Sequence, residues 1–325
     1  VVLVGMYQYI VSYYKTVFPD QRALDAFASL SNTPGIKALT GLSAAASTMG
    51  GAVWTKGWMT VVLALAIGVV FLVTRTGRAD EEAGRTELLR SRVLGVHAYS
   101  MAAWLVTGAL CVVIGVLLAV VSIGGSLDPA GTGITGSLIL GGSVAGIGLV
   151  GLGVGAVAGQ VSTTSRGANS LGAGVIIAAY VFRMIGDMGN GVLSWFSPIG
   201  WGQQMQPYGG NRWWPVLLLL GLTAVLLVAA SQLEARRDIG AGLLPQRPGR
   251  AGAPARYGTP LGLALRLQRN PIIGWTIAIV LGGALMGSVV EAMTELLADA
   301  GPGAENLLRG TGVTALLALL VKIGR

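Results

Sequence analysis

The sequence predicts an all-α, polytopic membrane protein, and three observations carry that prediction. Of its 325 residues, 53% are hydrophobic and only 11% charged, with a mean hydropathy of +0.69, whereas soluble domains carry about 25% charged residues. Apolar runs close to the roughly 20 residues needed to cross a bilayer recur along the chain. The 51 glycines are scattered through those runs without a G-X-Y period, as small residues are where membrane helices approach one another. Collagen and disordered tracts are excluded on the same ground. One cysteine, Cys111, cannot close an internal disulfide, and one histidine, His97, cannot build a histidine metal cluster. The net charge of +8 raises nucleic acid as a partner, but the basic residues sit in short segments between apolar runs and therefore report membrane orientation.

The elements follow in order. Val1 to Tyr14 begins at VVLVG without a signal-peptide flank and is expected to be the outer end of a first helix whose inner part is missing. Pro19 to Leu30 opens with Pro and Asp, as helix starts prefer, and places Leu24, Phe27, Ala28 and Leu30 on one stripe. It is expected to be a short external helix ended by Asn32-Thr33-Pro34-Gly35. Further spans are expected at Trp58 to Thr74 (starting as early as Ala52), Tyr99 to Ile123, Ile134 to Gly159, Leu171 to Leu193 and Pro215 to Ser231. Trp195 to Trp214, mixing Pro, Gly, Gln and Trp, is expected to form short interfacial or re-entrant pieces. Gly240 to Pro260, rich in Gly, Pro and Arg, has the composition of a linker. After it come a basic segment (Arg266 to Asn270), a span (Pro271 to Met293), an amphipathic stretch to Arg309 and a new apolar run at Val313 to Val321. This order repeats that of the chain's start. It suggests a first transmembrane half at 1–237, a linker at 238–262 and an incomplete second half at 263–325, a layout common in transporters.

Lys and Arg resist translocation, so the side richer in them is cytoplasmic. Arg75, Arg78, Arg85, Arg90, Arg92, Arg166, Arg236, Arg237, Arg247, Arg250, Arg256, Arg266 and Arg269 fall on one side, against Lys15, Arg22, Lys37, Lys56, Arg212 and Arg309 on the other. Trp54, Trp58, Trp195, Trp201, Trp213 and Trp214 then lie at outer helix ends, where interface anchoring is expected.

The glycine run Gly151 to Gly159 has no preceding strand or following soluble helix, so it is not a dinucleotide fingerprint. Gly142, Gly146, Gly151, Gly155 and Gly159 instead form small-xxx-small pairs suited to close helix packing. None of the four lysines completes a P-loop, and no Ser/His/Asp constellation is credible around His97. Nothing here points to an enzyme. Arg183 and Asp187 stand one turn apart in the fifth span, about 20 and 26 Å above its cytoplasmic entry at 1.5 Å per residue. Charged groups there must face protein or water, either as a structural ion pair snorkelling outward or as part of an outward-facing cavity or gate. The loop from Thr74 to Arg92 places acids before bases at helical spacing (Glu81/Arg85, Glu82/Arg85). That is either a cytoplasmic helix with surface ion pairs or an element that docks into a partner's groove.

At this loop the chain resembles the permease subunits of type-2 ABC exporters, in particular the actinobacterial tetronasin-like or multidrug export branch. The pattern T-R-x(2,5)-E-E-x-G-R-x-E-L-L is matched by Thr74, Arg75, Glu81, Glu82, Gly84, Arg85, Glu87, Leu88 and Leu89. Phe18-Pro19-Asp20, Ser197-Pro198-Ile199-Gly200-Trp201 and Arg269-Asn270-Pro271 occur in the family's order. The resemblance implies two six-helix halves in a bacterial cell membrane. It implies no cofactor on this chain, with ATP and Mg bound by a pair of separate ATPase subunits. These would dock on a coupling loop comprising Arg75, Glu81, Glu82, Gly84, Arg85 and Glu87, and the cargo would be an amphiphilic or hydrophobic drug-like compound. The alternatives are an ion-coupled secondary transporter using Arg183 and Asp187, and a non-transporting membrane scaffold for a cytoplasmic partner.

Overall fold

The structure is a computed structural model and describes residues 1–31, 34–41, 43–86, 95, 97–237, 242 and 258–299. Among these it is all helical. Among the described residues, five helices are long and apolar enough to cross a membrane. The chain divides into two units, Val1–Asn32 with Ile36–Arg250, and Thr33–Gly35 with Ala251–Arg325.

In the first unit, α1 (Val2–Val17) is followed by α2 (Gln21–Ser31), whose start is capped by Asp20 Oδ1 accepting from the Ala23 N–H at 2.9 Å. Helix α2 ends at Ser31, directly before the segment expected to end it, and Pro34 then opens a further short helix, α3 (Pro34–Thr40), because a proline at the first helical position has no N–H to leave unpaired. Helix α4 (Met49–Thr74) starts nine residues before Trp58, capped by Thr48 Oγ1 accepting from Gly51 N–H at 3.1 Å. It passes through a π turn (Arg75–Ala79) into the single turn α5 (Asp80–Glu82). Helices α6 (Ala98–Gly124) and α7 (Thr135–Val161) follow within two residues of the expected bounds. Helix α8 (Ser165–Met188) lies five or six residues earlier than expected, because the Thr164 hydroxyl caps it by accepting from Gly167 N–H at 3.1 Å. The anticipated short pieces are a 3-10 turn (Leu193–Phe196) and α9 (Pro198–Gln204), before α10 (Pro215–Arg236).

Helix α7 is the centre of the bundle and packs most extensively against α6, α4 and α10. Four of the five expected packing glycines serve that role, on two different faces. A Cβ on Gly142 or Gly146 would press on Trp213 or Leu219, and one on Gly151 or Gly155 on the backbone of Ala66 or Val70 in α4. Gly159 is the exception, since a Cβ there would meet nothing within 4 Å. The tightest crossing of α6 on α7 belongs to Gly115 and Gly141. A Cβ on either would sit 2.5 or 2.4 Å from the other's carbonyl oxygen, so only glycine fits.

Two tryptophans depart from the anchoring expectation. Trp54 and Trp58 are both 1% exposed, stacked at 5.1 Å, and Trp58 Nε1 donates to Ser143 Oγ at 2.8 Å. They are core residues of the α4–α7 contact. Trp195, Trp213 and Trp214 are exposed. Leu105, Val106, Val113, Val116 and Val120 of α6 and Leu217, Val225 and Val228 of α10 face outward, a surface suited to acyl chains, which are as apolar as leucine.

In the second unit, α11 (Pro260–Asp299) is one 40-residue helix running through Pro271 and containing the expected span at Pro271 to Met293. The expected amphipathic stretch to Arg309 therefore begins inside this helix. The Val313 to Val321 run and nearly all of the expected linker lie outside the described residues.

Candidate functional site

Two polar clusters occupy opposite ends of α8. The cluster at the arginine-rich end is built by the π turn and α5. A regular helix turns 100° per residue, so three consecutive side chains fan about 200° around the axis, and the acids Asp80, Glu81 and Glu82 reach three directions. Asp80 accepts from the Tyr99 hydroxyl at the start of α6 and from Arg85 Nη1, each at 2.5 Å. Glu81, whose side chain is 8% exposed, accepts from Arg78 Nη1 at 2.8 Å and from Arg237 Nη1 and Nη2, just beyond α10, at 2.9 and 2.5 Å. Glu82 takes the Ser165 N–H and hydroxyl, both at 2.7 Å, at the start of α8. The two arginines also bind α7's end: Arg237 Nε donates to Gln160 Oε1 at 2.5 Å, and Arg78 Nη2 to the Thr163 carbonyl at 2.7 Å. Beside them Glu234 accepts from Ser100 Oγ at 2.6 Å and lies 3.1 Å from His97 Nδ1. The cavity among these side chains measures about 30 Å³, far below the roughly 300–1,000 Å³ of a drug-sized ligand site. The cluster is a junction between helices.

The expected Glu81/Arg85 and Glu82/Arg85 pairs do not form. The helix ends at Glu82, Gly84 takes φ +71°, and the chain turns before Arg85 can stack one turn above either acid. Arg75 is the first residue of the π turn, and Glu87 lies outside the described residues. Arg78 and Arg237 entered the sequence reading only as markers of orientation, and Gln160 not at all. Their signal was present: each is a polar residue at the end of a long apolar helix.

The cluster at the other end contains Arg183 and Asp187 in the last two turns of α8. Arg183 is fully buried, so the snorkelling geometry does not occur. Its Nη1 donates to Asp187 Oδ2 and to Gln203 Oε1, both at 3.2 Å, and its Nη2 to the carbonyls of Ala38 and Leu39 at the end of α3. Asp187 accepts from Ser194 Oγ at 2.7 Å and Gln203 Nε2 at 3.0 Å, and the Tyr180 ring lies 5.0 Å from the guanidinium carbon. The charge is thus enclosed by α3, the 3-10 turn and α9. The Ser-Pro-Ile-Gly-Trp motif supplies that enclosure. Ser197 Oγ caps α9 through Ile199 and Gly200 N–H, Pro198 is its first residue, and a Cβ on Gly200 would sit 1.9 Å from the Ser194 carbonyl.

Two further surfaces distinguish the bundle. The exposed side of α1 carries Gln8, Tyr9, Ser12, Tyr13 and Thr16, and α4 exposes Lys56 and Thr60, polar groups that within a bilayer require water or another protein segment. By contrast, a groove of about 610 Å³ between α6 and α10, lined by Trp104, Leu105, Val112, Leu152, Leu227 and Val228, is almost wholly apolar.

Residues 257–323 match the family model of the C-terminal domain of the multidrug efflux system permease Rv1217c. The multidrug efflux system permease protein Rv1217c of Mycobacterium tuberculosis (strain ATCC 25618 / H37Rv) is 40% identical over 288 residues, covering 88% of this chain and 51% of that protein. The chain spans about half the length of the curated relative it matches. A polytopic helical bundle with this degree of identity makes the chain similar, along most of its length, to a bacterial multidrug efflux permease.

Proposed function

We propose that the chain is the membrane permease, or a part of it, of an ATP-driven ABC exporter of the type-2 class. It moves amphiphilic or hydrophobic drug-like compounds across a bacterial cell membrane and draws energy from separate ATPase subunits. The observation that carries this reading is the 40% identity to a multidrug efflux permease over 88% of the chain. The tetronasin-like or multidrug export branch is the finer form of the same proposal.

In this mechanism the arginine-rich end is cytoplasmic. The turn around Glu82, Gly84 and Arg85 meets the ATPase, and the polar side of α1 and α4 faces the transport route. Binding of ATP by the partner favours one of two arrangements of the bundle over the other, which is what a transported ligand needs for alternating access. The geometry of Arg183 and Asp187 supports a structural role, since each charge is met by fixed donors or acceptors and the pair is covered by α3 and α9.

The test is reconstitution of the full-length protein with its ATPase in vesicles loaded with a fluorescent cationic amphiphile. Efflux is expected only with hydrolysable nucleotide and is expected to survive collapse of the proton gradient. Efflux without nucleotide that disappears with the gradient would select the ion-coupled alternative. Capture of an ATPase whose turnover the protein and the amphiphile leave unchanged would select the scaffold.

A further inference from the structure

We infer that Glu81 and Glu82 are positioning residues that bolt the arginine-rich ends of α7, α8 and α10 to the coupling turn, so that these helix ends move with it as one body. This deepens the transport reading and rests on it.

Three features support it. Ordinary lateral packing of α4 already holds α7 and α8 along their length, and the end of α10 is joined to this turn by polar contacts. Glu81 grips Arg237 with two hydrogen bonds, and Arg237 in turn grips Gln160 of α7. A bidentate carboxylate–guanidinium contact fixes direction as well as distance, so a rotation of α5 must carry the end of α10 with it. Glu82 makes an equally directional contact with α8, its two oxygens meeting the N–H and hydroxyl of a single residue, Ser165. The carboxylate also faces the positive end of a 24-residue helix. Finally, the π turn supplies the register. Val73 and Thr74, just before it, are buried, and the wide turn points Arg78 inward to Glu81 and Thr163 while Ala83 and Arg85 stay exposed for a partner. Packing contacts can slide by one or two ångströms, whereas these bonds break if the helix ends move independently.

Spin labels on three exposed positions, Ala83, Arg166 and Arg236, of the full-length protein with its ATPase give two distances that span the junction, 83–166 and 83–236. Both are expected to stay constant on nucleotide binding. A change of either by about 5 Å, the size of a one-turn slip, overturns the inference. In parallel, E81Q, a change at a side chain enclosed in the junction, is expected to lower efflux per ATP hydrolysed at least about five-fold, the lower end of measured inter-site coupling, in complexes matched for the amount of bound ATPase. E81D, which keeps the charge, is expected to recover part of the loss. Unchanged efflux per ATP hydrolysed in E81Q also overturns the inference. If the unsubstituted protein shows no nucleotide-driven efflux, the transport reading itself fails, which is a separate result from a moving junction in an active exporter.

Discussion

The two ends of α8 hold charge in opposite ways. Around Arg183 the ion pair lies within one helix and is closed in by α3 and α9, with backbone carbonyls taking a large share of the hydrogen bonds. Around Glu81 the charges come from α5, the π turn and the end of α10, and part of the turn, including Arg85 with a side chain 69% exposed, faces outward. An ion that depends on fixed backbone can stabilise only the arrangement in which that backbone is in place. Ions contributed by separate elements can travel with them. On the proposed reading the first end anchors and the second transmits.

The largest expected effect breaks the anchor. Arg183→Met leaves Asp187 buried with only Ser194 and Gln203 to meet its charge, and removing one partner of a buried pair costs about 3–5 kcal/mol. The double variant Arg183→Met/Asp187→Leu is expected to recover most of that loss, because a buried pair replaced by apolar groups is often neutral. Thermal unfolding in detergent or nanodiscs reads both. If the single and double variants unfold together, Asp187 does not rely on Arg183 and the anchor is elsewhere.

The difference between the ends also explains what the sequence could show. The long helices were legible because an apolar run of bilayer length has few alternatives. The starts of α4 and α8 were less so, since Met49 to Gly51 and Ser165 to Ser170 are too small or polar to raise hydropathy and yet are helical. Trp54 and Trp58 fit an anchoring rule that describes exposed indoles, whereas their actual setting depends on Ser143, distant in the chain. Arg183 and Asp187 were visible as costly charges four residues apart, but not the carbonyls of Ala38 and Leu39 that close over them. At the turn after α4, helical spacing pointed Glu81 to Arg85. The π turn and the early helix end redirected it to Arg237, a partner that no local pattern supplies.

The second prediction tests whether the transmitting end is held by shared charge. Glu81→Gln keeps the side chain's shape but removes the charge between two guanidiniums. Hydrogen bonds to charged groups contribute about 1.5–3 kcal/mol, so the variant is expected to unfold measurably earlier than the native chain, though later than Arg183→Met. A double-mutant cycle with Arg237→Gln is expected to show a coupling of about 0.5–3 kcal/mol. Additive losses would place the two residues in separate interactions and dissolve the junction. Glu82→Gln is expected to cost less, about 0.3–1 kcal/mol, because its contact with the start of α8 is open to solvent and the helix-end charge effect is of that size.

The smallest stability effect is expected at Arg85, and there the contrast between anchoring and transmitting becomes sharpest. Its pairing with Asp80 is at the surface, where ion pairs contribute about 0–1 kcal/mol and are weakened by salt. Asp80 retains the Tyr99 hydroxyl as a donor when the arginine is removed. Arg85→Ala should therefore unfold within about 1 kcal/mol of the native chain. On the proposed reading the same change removes an exposed cation from the surface offered to the ATPase, so association with that partner, measured by co-purification across a salt series, should weaken. A residue that barely stabilises the fold but governs docking is what a transmitting element requires. If Arg85→Ala leaves partner association unchanged at every ionic strength, the ATPase reaches the bundle by another surface, and the junction beneath Arg85 stabilises the bundle without transmitting anything.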